Sequence, residues 1–180
     1  MFELKKTVAL VGMMGSGKSA IGKVVSSIID VPFKDADVEI EQAAKLSIPE
    51  IFERHGENFF RDKEDQIIKR LLREKCCILA TGGGAFMNKK IRASIKEQGV
   101  SVWLNADLET LWKRVKHKRT RPLLRTHNPK ETLSSIYTDR IKTYSLADII
   151  IDSDDKSSLE EMAKLVIKSL LDRNDLIERA

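Results

Sequence analysis

The sequence predicts an α/β protein built on a parallel sheet with helices on both faces, and three observations carry that expectation. Short apolar, β-branched runs alternate along the chain with segments of helical periodicity. The first run, Thr7 to Val11, leads straight into Gly12-Met13-Met14-Gly15-Ser16-Gly17-Lys18-Ser19. That stretch fits the phosphate-loop pattern G-x-x-x-x-G-K-[ST], in the strand-then-helix setting the pattern needs. Finally, the motifs that could carry chemistry fall after strand-like runs, where open parallel sheets bind their ligands.

The elements follow in order. After the loop, Gly17 to Ile29 reads as a helix with Ile21, Val24, Val25, Ile28 and Ile29 on its apolar stripe. Val31-Pro-Phe-Lys-Asp reads as a second strand ending at Asp35 and Asp37, and Asp37 to Ala44 as a helix. Ser47-Ile48-Pro49-Glu50 has the form of a capping box with proline in the first turn, opening a short helix that stops at Gly56. A longer helix covers about Asn58 to Arg73. Cys76 to Ala80 is a third buried strand and runs into Thr81-Gly82-Gly83-Gly84. A helix near Lys89 to Gln98 leads to a fourth strand, Val100 to Leu104. Asp107 caps the next helix, with Leu108, Leu111, Trp112 and Val115 facing inward. A basic loop of low apolar content, Arg119 to Pro129, precedes a helix over Glu131 to Tyr144, a last strand at Asp148 to Ile151 and a closing helix from Leu159 to Leu171. No repeat, linker or low-complexity tract interrupts this order, so residues 1–180 are expected to form one domain.

Composition narrows the function classes. With 42% hydrophobic and 33% charged residues the chain is that of an ordinary globular protein. No apolar run approaches the ~20 residues of a membrane span. The start, Met1-Phe-Glu-Leu-Lys-Lys, runs directly into the first strand and leaves no room for a signal peptide. The only cysteines, Cys76 and Cys77, are adjacent in an apolar run, which suits neither a metal site nor a structural disulfide and points to a reducing cytoplasm. Net charge is +5 and the isoelectric point about 9.2. The excess gathers in Lys113, Arg114, Lys116, Lys118, Arg119, Arg121 and Arg125, with few aromatics interleaved, so a nucleotide's phosphates suit it better than nucleic acid does.

The phosphate loop converges backbone N–H groups and a helix N-terminus on phosphate oxygens. Gly15, Ser16, Gly17, Lys18, Ser19 and Ala20 are therefore the expected ATP-binding residues, with Lys18 on the β- and γ-phosphates and the Ser19 hydroxyl on Mg2+. Asp35 and Asp37 sit two residues apart at a strand end. If the chain turns there, one serves the metal side and the other the acceptor, and Asp37 can take or orient an acceptor proton. A plain helix cap and turn is the alternative. Gly82-Gly83-Gly84 permits a close approach of backbone to ligand. Arg61 and Glu64 at i, i+3 read by default as a surface ion pair, and Arg140 and Tyr144 share one helix face at i, i+4. His55, His117 and His127 have no metal-ligand spacing.

Taken together, the phosphate loop, Phe33-x-Asp35-x-Asp37, Phe60-Arg61-x-x-Glu64, Thr81-Gly82-Gly83-Gly84, Arg121-Pro122-Leu123-Leu124 and Arg140-x-x-x-Tyr144 with Ala147-Asp148 behind it resemble the shikimate kinase family. The resemblance implies a three-layer P-loop kinase, nucleoside-monophosphate-kinase-like, with a five-stranded parallel sheet, a shikimate-binding region at about 34–60 and a mobile lid at about 116–128. It implies ATP-dependent phosphorylation of the 3-hydroxyl of shikimate, with ADP leaving, Mg2+ as cofactor and neither nucleic acid nor membrane as partner. A monomer is the default.

By the same resemblance Ser19 ligates Mg2+ directly and Asp35 supports it through water. Asp37 binds the shikimate hydroxyls and is the candidate base. Arg61 and Arg140 hold the substrate carboxylate, and Gly82, Gly83 and Gly84 line the substrate, Gly83 through its backbone. Arg121 is the lid arginine that joins Lys18 and Asp37 in the catalytic set, and Arg114 lies against adenine. An arginine fork matches a planar carboxylate bidentately, a contact worth roughly 1.5–3 kcal/mol. Three positions depart from the family pattern: Ala20 where threonine is usual, Lys142 where proline is common, and Asp152 to Lys156, which lacks the frequent basic-plus-proline pattern. Other small-molecule kinases of similar fold, acting on gluconate or AMP, share the loop but not the F-R-x-x-E and R-P-L-L elements.

Overall fold

The computed structural model describes residues 2–117 and 122–179, of which Arg179 is described by its backbone alone. In chain order the elements are β1 (Phe2–Leu4), β2 (Thr7–Val11), α1 (Lys18–Ile29), β3 (Phe33–Asp35), α2 (Ala36–Ala44), α3 (Ile48–Arg73), β4 (Ile78–Ala80), α4 (Lys89–Gln98), β5 (Gly99–Ala106), α5 (Leu108–Val115), α6 (Pro129–Tyr144), β6 (Ile149–Ser153), α7 (Leu159–Leu171) and β7 (Ile177–Arg179). Two 3-10 turns, Ala85–Met87 and Pro122–Leu124, fill connections.

Five strands form one parallel sheet in the order β3-β4-β2-β5-β6. Alternation along each strand sends side chains to opposite faces. Val8 and Leu10 of β2, with Val100, Val102 and Leu104 of β5, pack beneath α1 and α7. Ala9 and Val11, with Trp103, pack against the other layer, which holds α2 to α6. These are the three layers the sequence predicts.

Local chemistry sets the helix ends. Ser47 and Glu50 form the expected capping box on α3 and Asp107 caps α5, while Ser158 and Glu161 form a second box on α7. Gly56 takes φ +79, ψ 174 and kinks α3 into two helical stretches, as its sequence position suggests.

Several expectations need correction. The α1 stripe is narrower than its periodicity: Ile21, Val25 and Ile29 are buried, but Ile28 is 47% exposed. Gly22 takes its place, because Phe33 and Leu10 press so closely on the helix there that a Cβ would sit 2.7 Å from the Phe33 ring. The third strand starts later than Cys76, at Ile78, whereas β5 extends from Gly99 to Ala106 because β2 and β6 pair with it on both sides. Within the basic loop, Leu124 is an anchor buried in the main core. The chain ends also pair, β1 antiparallel to β7, an arrangement no local pattern signals.

Candidate active site

The end of β2, the β3–α2 junction, the β4–α4 connection and the start of α1 meet at the carboxyl edge of the sheet, on either side of the central strand. That crossing is where open α/β sheets form their binding crevice. Two cavities lie there, of about 430 and 460 Å3. Met14, Ser19, Asp35, Asp37 and Gly83 line both.

The larger cavity follows the phosphate loop. Gly15 has φ +83, and a Cβ there would stand 2.6 Å from Val115, so only glycine turns the loop this close to α5. Gly17 begins α1 in the left-handed region, which leaves the first helical N–H groups facing the cavity. Lys18 is buried, and its Nζ donates to the Gly12 carbonyl at 2.8 Å and the Met13 carbonyl at 2.9 Å. The loop thus holds its cation by its own backbone. Arg114 reaches across from α5, Nη1 to the Gly15 carbonyl at 3.3 Å and Nη2 to the Asp154 carbonyl at 2.7 Å. It ties the loop to the segment after β6. Ala20 lines this cavity with a methyl group where a hydroxyl could have met a phosphate.

At the shared wall the Ser19 hydroxyl donates to Asp35 Oδ2 at 2.5 Å. The other Asp35 oxygen accepts from the Asp37 N–H at 3.0 Å and caps α2. Of the two readings open for this pair, the cap therefore belongs to Asp35. Asp37 in the first turn is turned toward the triple glycine: the point where a Gly82 Cβ would stand is 3.0 Å from Asp37 Oδ1 and 2.6 Å from Glu64 Oε1.

The second cavity has an apolar side made by Ile48, Pro49, Phe52 and Phe60 and a charged side made by Arg61, Glu64 and Arg140. Arg61 Nη1 donates to Glu64 Oε2 at 2.8 Å, and its Nε and Nη2 donate to Glu57. This pair is not on the surface. The Arg61 side chain is 25% exposed and Glu64 only 1%. Burial raises the Glu64 carboxyl above its ordinary range, with the Asp37 charge adding to it and Arg61 and Arg140 opposing. Burial also works against the Arg61 charge, but Glu64 and Glu57 outweigh it and hold the guanidinium above its usual value. Gly84 leaves room for this pair, since a Cβ there would fall 2.6 Å from Arg61 Nη1 and displace the guanidinium. Arg140 Nη1 is buried without a hydrogen-bond partner beside Gly83.

The structure thus brings together Lys18, Ser19, Asp35, Asp37, Arg61, Gly82, Gly83, Gly84 and Arg140 around two joined cavities, with Arg114 at the rim of the phosphate-loop cavity. Arg121 lies outside the described residues, although Pro122 and Leu123 after it line the second cavity. Two participants are missed by a local reading. Glu64 reads as a surface partner because an i, i+3 pair carries no sign of burial. Tyr144 is fully buried, its hydroxyl donating to the Gly83 carbonyl across 61 residues. Only its i+4 spacing from Arg140 hints at that role.

Comparison with known proteins gives a consistent outcome. A family model described as "Shikimate kinase" matches residues 14–171. A shikimate kinase of Ruegeria pomeroyi is 54% identical over 175 residues, covering 97% of this chain and 90% of the relative. One from Cereibacter sphaeroides is 53% identical over 178 residues, covering 99% and 89%. Among solved structures, a shikimate kinase from Acinetobacter baumannii in complex with shikimate superimposes with a TM-score of 0.90 at 31% identity, covering 94% of each chain.

Proposed function

The chain belongs to the shikimate kinase family, and from that premise we propose how its two cavities divide the work of phosphorylating shikimate with ATP. The phosphate-loop cavity takes ATP and the cavity between α2, α3 and α6 takes shikimate. The observation that carries this division is the wall of Met14, Ser19, Asp35, Asp37 and Gly83 common to both. A phosphoryl group passing from one cavity to the other crosses the protein there.

Phosphoryl transfer needs little covalent help and much positioning and charge neutralisation. Gly15 to Ala20 cradle the phosphates, and Lys18 neutralises charge on the β- and γ-phosphates. Its present carbonyl contacts lie at the mouth of the loop, so it is already aimed. Ser19 and Asp35 offer hard oxygen donors 2.5 Å apart, a hydroxyl and one carboxylate, which suits an ion that completes its shell with phosphate and water. They would hold Mg2+, Ser19 directly and Asp35 through water, and the bound ion would screen the charge on the phosphates.

Arg140 and Arg61 take the acceptor carboxylate, and Gly82 to Gly84 let the ring approach the backbone. Asp37 orients the 3-hydroxyl and accepts its proton. Arg114 packs on the adenine side. The lid expected at about 116–128, with Arg121, lies in part outside the described residues. Both halves of the site come from one chain, so a monomer suffices for the reaction. The free thiols of Cys76 and Cys77 accord with a reducing cytoplasm. No described helix is long and apolar enough to cross a membrane.

An ADP-coupled assay that offers shikimate, gluconate and AMP in parallel tests this reading. Turnover is expected with shikimate and at background with the other two. Turnover with AMP or gluconate alone would overturn the acceptor assignment.

A further inference from the structure

Tyr144 is the bulkiest of the fully buried side chains among the described residues, 1% exposed, and no step described so far uses it. Its ring stacks on Trp103 of β5, with centroids 5.9 Å apart and 21° between planes. Phenylalanine would fill that space equally well, and burying a hydroxyl costs free energy unless it is hydrogen-bonded. The hydroxyl must therefore earn its place through its partners. It donates its single proton to the Gly83 carbonyl. Arg140 stands one turn earlier on α6, and its charge acts on the same phenol. Burial raises the phenol to about 12, with Arg140 opposing, so the proton stays on the hydroxyl throughout the neutral range.

The loop it grips is the one with least means of holding itself. Three successive glycines have no side chains to anchor them and lose the most conformational freedom on ordering. Beside the same turn stands the Arg140 guanidinium, whose Nη1 is buried, unpartnered, and 3.8 Å from the point where a Gly83 Cβ would stand. The phenol thus holds the turn that borders Arg140 at a single spot on the acceptor cavity.

We propose that Tyr144 is a positioning residue for the acceptor carboxylate: its hydroxyl ties the Gly83 carbonyl to a rigid point on α6, one turn from Arg140 and backed by Trp103, so that the glycine turn and the Arg140 guanidinium meet the carboxylate in a single geometry. This rests on the acceptor assignment above. Tyr144 itself does not touch the substrate in this scheme. It acts through the Gly83 turn and the helix that carries Arg140.

The test compares the parent enzyme with Tyr144→Phe, using shikimate and its methyl ester, which lacks the carboxylate charge. Loss of one hydrogen bond predicts a shikimate KM and Kd raised about tenfold, with kcat changed less than about threefold and the ATP KM less than about twofold. Binding of the methyl ester should weaken by less than about twofold, because there is no carboxylate for the aligned groups to hold. A shikimate KM at the parent value, or equal losses for acid, ester and ATP, would overturn the proposal and leave Tyr144 a packing residue. Failure of the parent to turn over shikimate would instead strike the acceptor reading itself. Should Tyr144→Phe prove too unstable to assay, Trp103→Phe loosens the stack behind the ring without touching the hydroxyl. It should raise the shikimate KM in the same direction, by about threefold, and an unchanged KM there would equally overturn the role.

Discussion

The two halves of the site are built in opposite ways. The nucleotide side is almost wholly local: Gly12 to Ala20 supply the turn, the helix start, the cation and the hydroxyl, and Lys18 is held by carbonyls five and six residues away. The acceptor side is assembled from four separate stretches, 35–37, 61–64, 82–84 and 140–144, and its contacts span tens of residues. There the buried carboxylate of Glu64 is paired with a charged side chain, Arg61, whereas the buried Lys18 rests on backbone carbonyls. The difference teaches that phosphate can be bound by backbone geometry, which a short motif encodes. A carboxylated polyol needs side-chain charges taken out of water, and those must be paired across the fold.

The largest effect that would sharpen this contrast is Lys18→Ala. It should lower kcat by about 10^2–10^3 while moving the urea midpoint little, since its amine meets neutral backbone carbonyls. A loss confined to KM would break the assignment. Asp37→Asn should come next, with kcat down about 10^2-fold and shikimate still bound, as measured by calorimetry. On the acceptor side stability and activity should be coupled. Glu64→Ala leaves Arg61 partly buried and without its closest partner, and should cost about 3 kcal/mol in urea unfolding as well as weakening shikimate binding. A variant of parental stability would show the charge pair to be dispensable. Arg140→Ala should raise the shikimate KM about 10- to 100-fold and spare the ATP KM.

The smallest effect is with pH, and its two parts differ in sign. Asp107, Glu50 and Glu161 are lowered by hydrogen bonds from Thr110, Ser47 and Ser158 respectively. Their contribution is present above the unfolded carboxylate range of about 4 and is lost as pH falls through their folded values. Glu64 is raised, so the native state binds its proton more tightly than the unfolded chain. Its contribution to stability is greatest below about 4 and falls as pH rises through its folded value. In Glu64→Gln, the decline in stability between about pH 4 and neutral should flatten, read from urea midpoints across pH. An unchanged slope would remove Glu64 as its source.

Much of this was legible in the chain. The β–α alternation, the capping boxes, the stop at Gly56 and the phosphate loop are all set by neighbours within a few residues, so a local reading finds them. Helical periodicity puts Ile28 on the apolar stripe of α1 without saying how far the partner layer extends. Spacing alone makes Arg61 and Glu64 a default surface pair, and only the family motif gives Arg61 a substrate carboxylate, because spacing along a helix does not reveal depth. The β1–β7 pairing joins the two ends of the chain and has no local signal.

The sequence by itself determined the donor half and the order of the elements, because glycine conformations, helix starts and strand alternation are short-range consequences of residue type. The tertiary structure alone decided which face of each helix meets the sheet and how deep each charge lies. It placed Glu64, Arg140 and the Tyr144 hydroxyl around one triple-glycine turn. Burial is a property of the packed layers, and it is burial that turns an ordinary arginine, glutamate or tyrosine into part of a site.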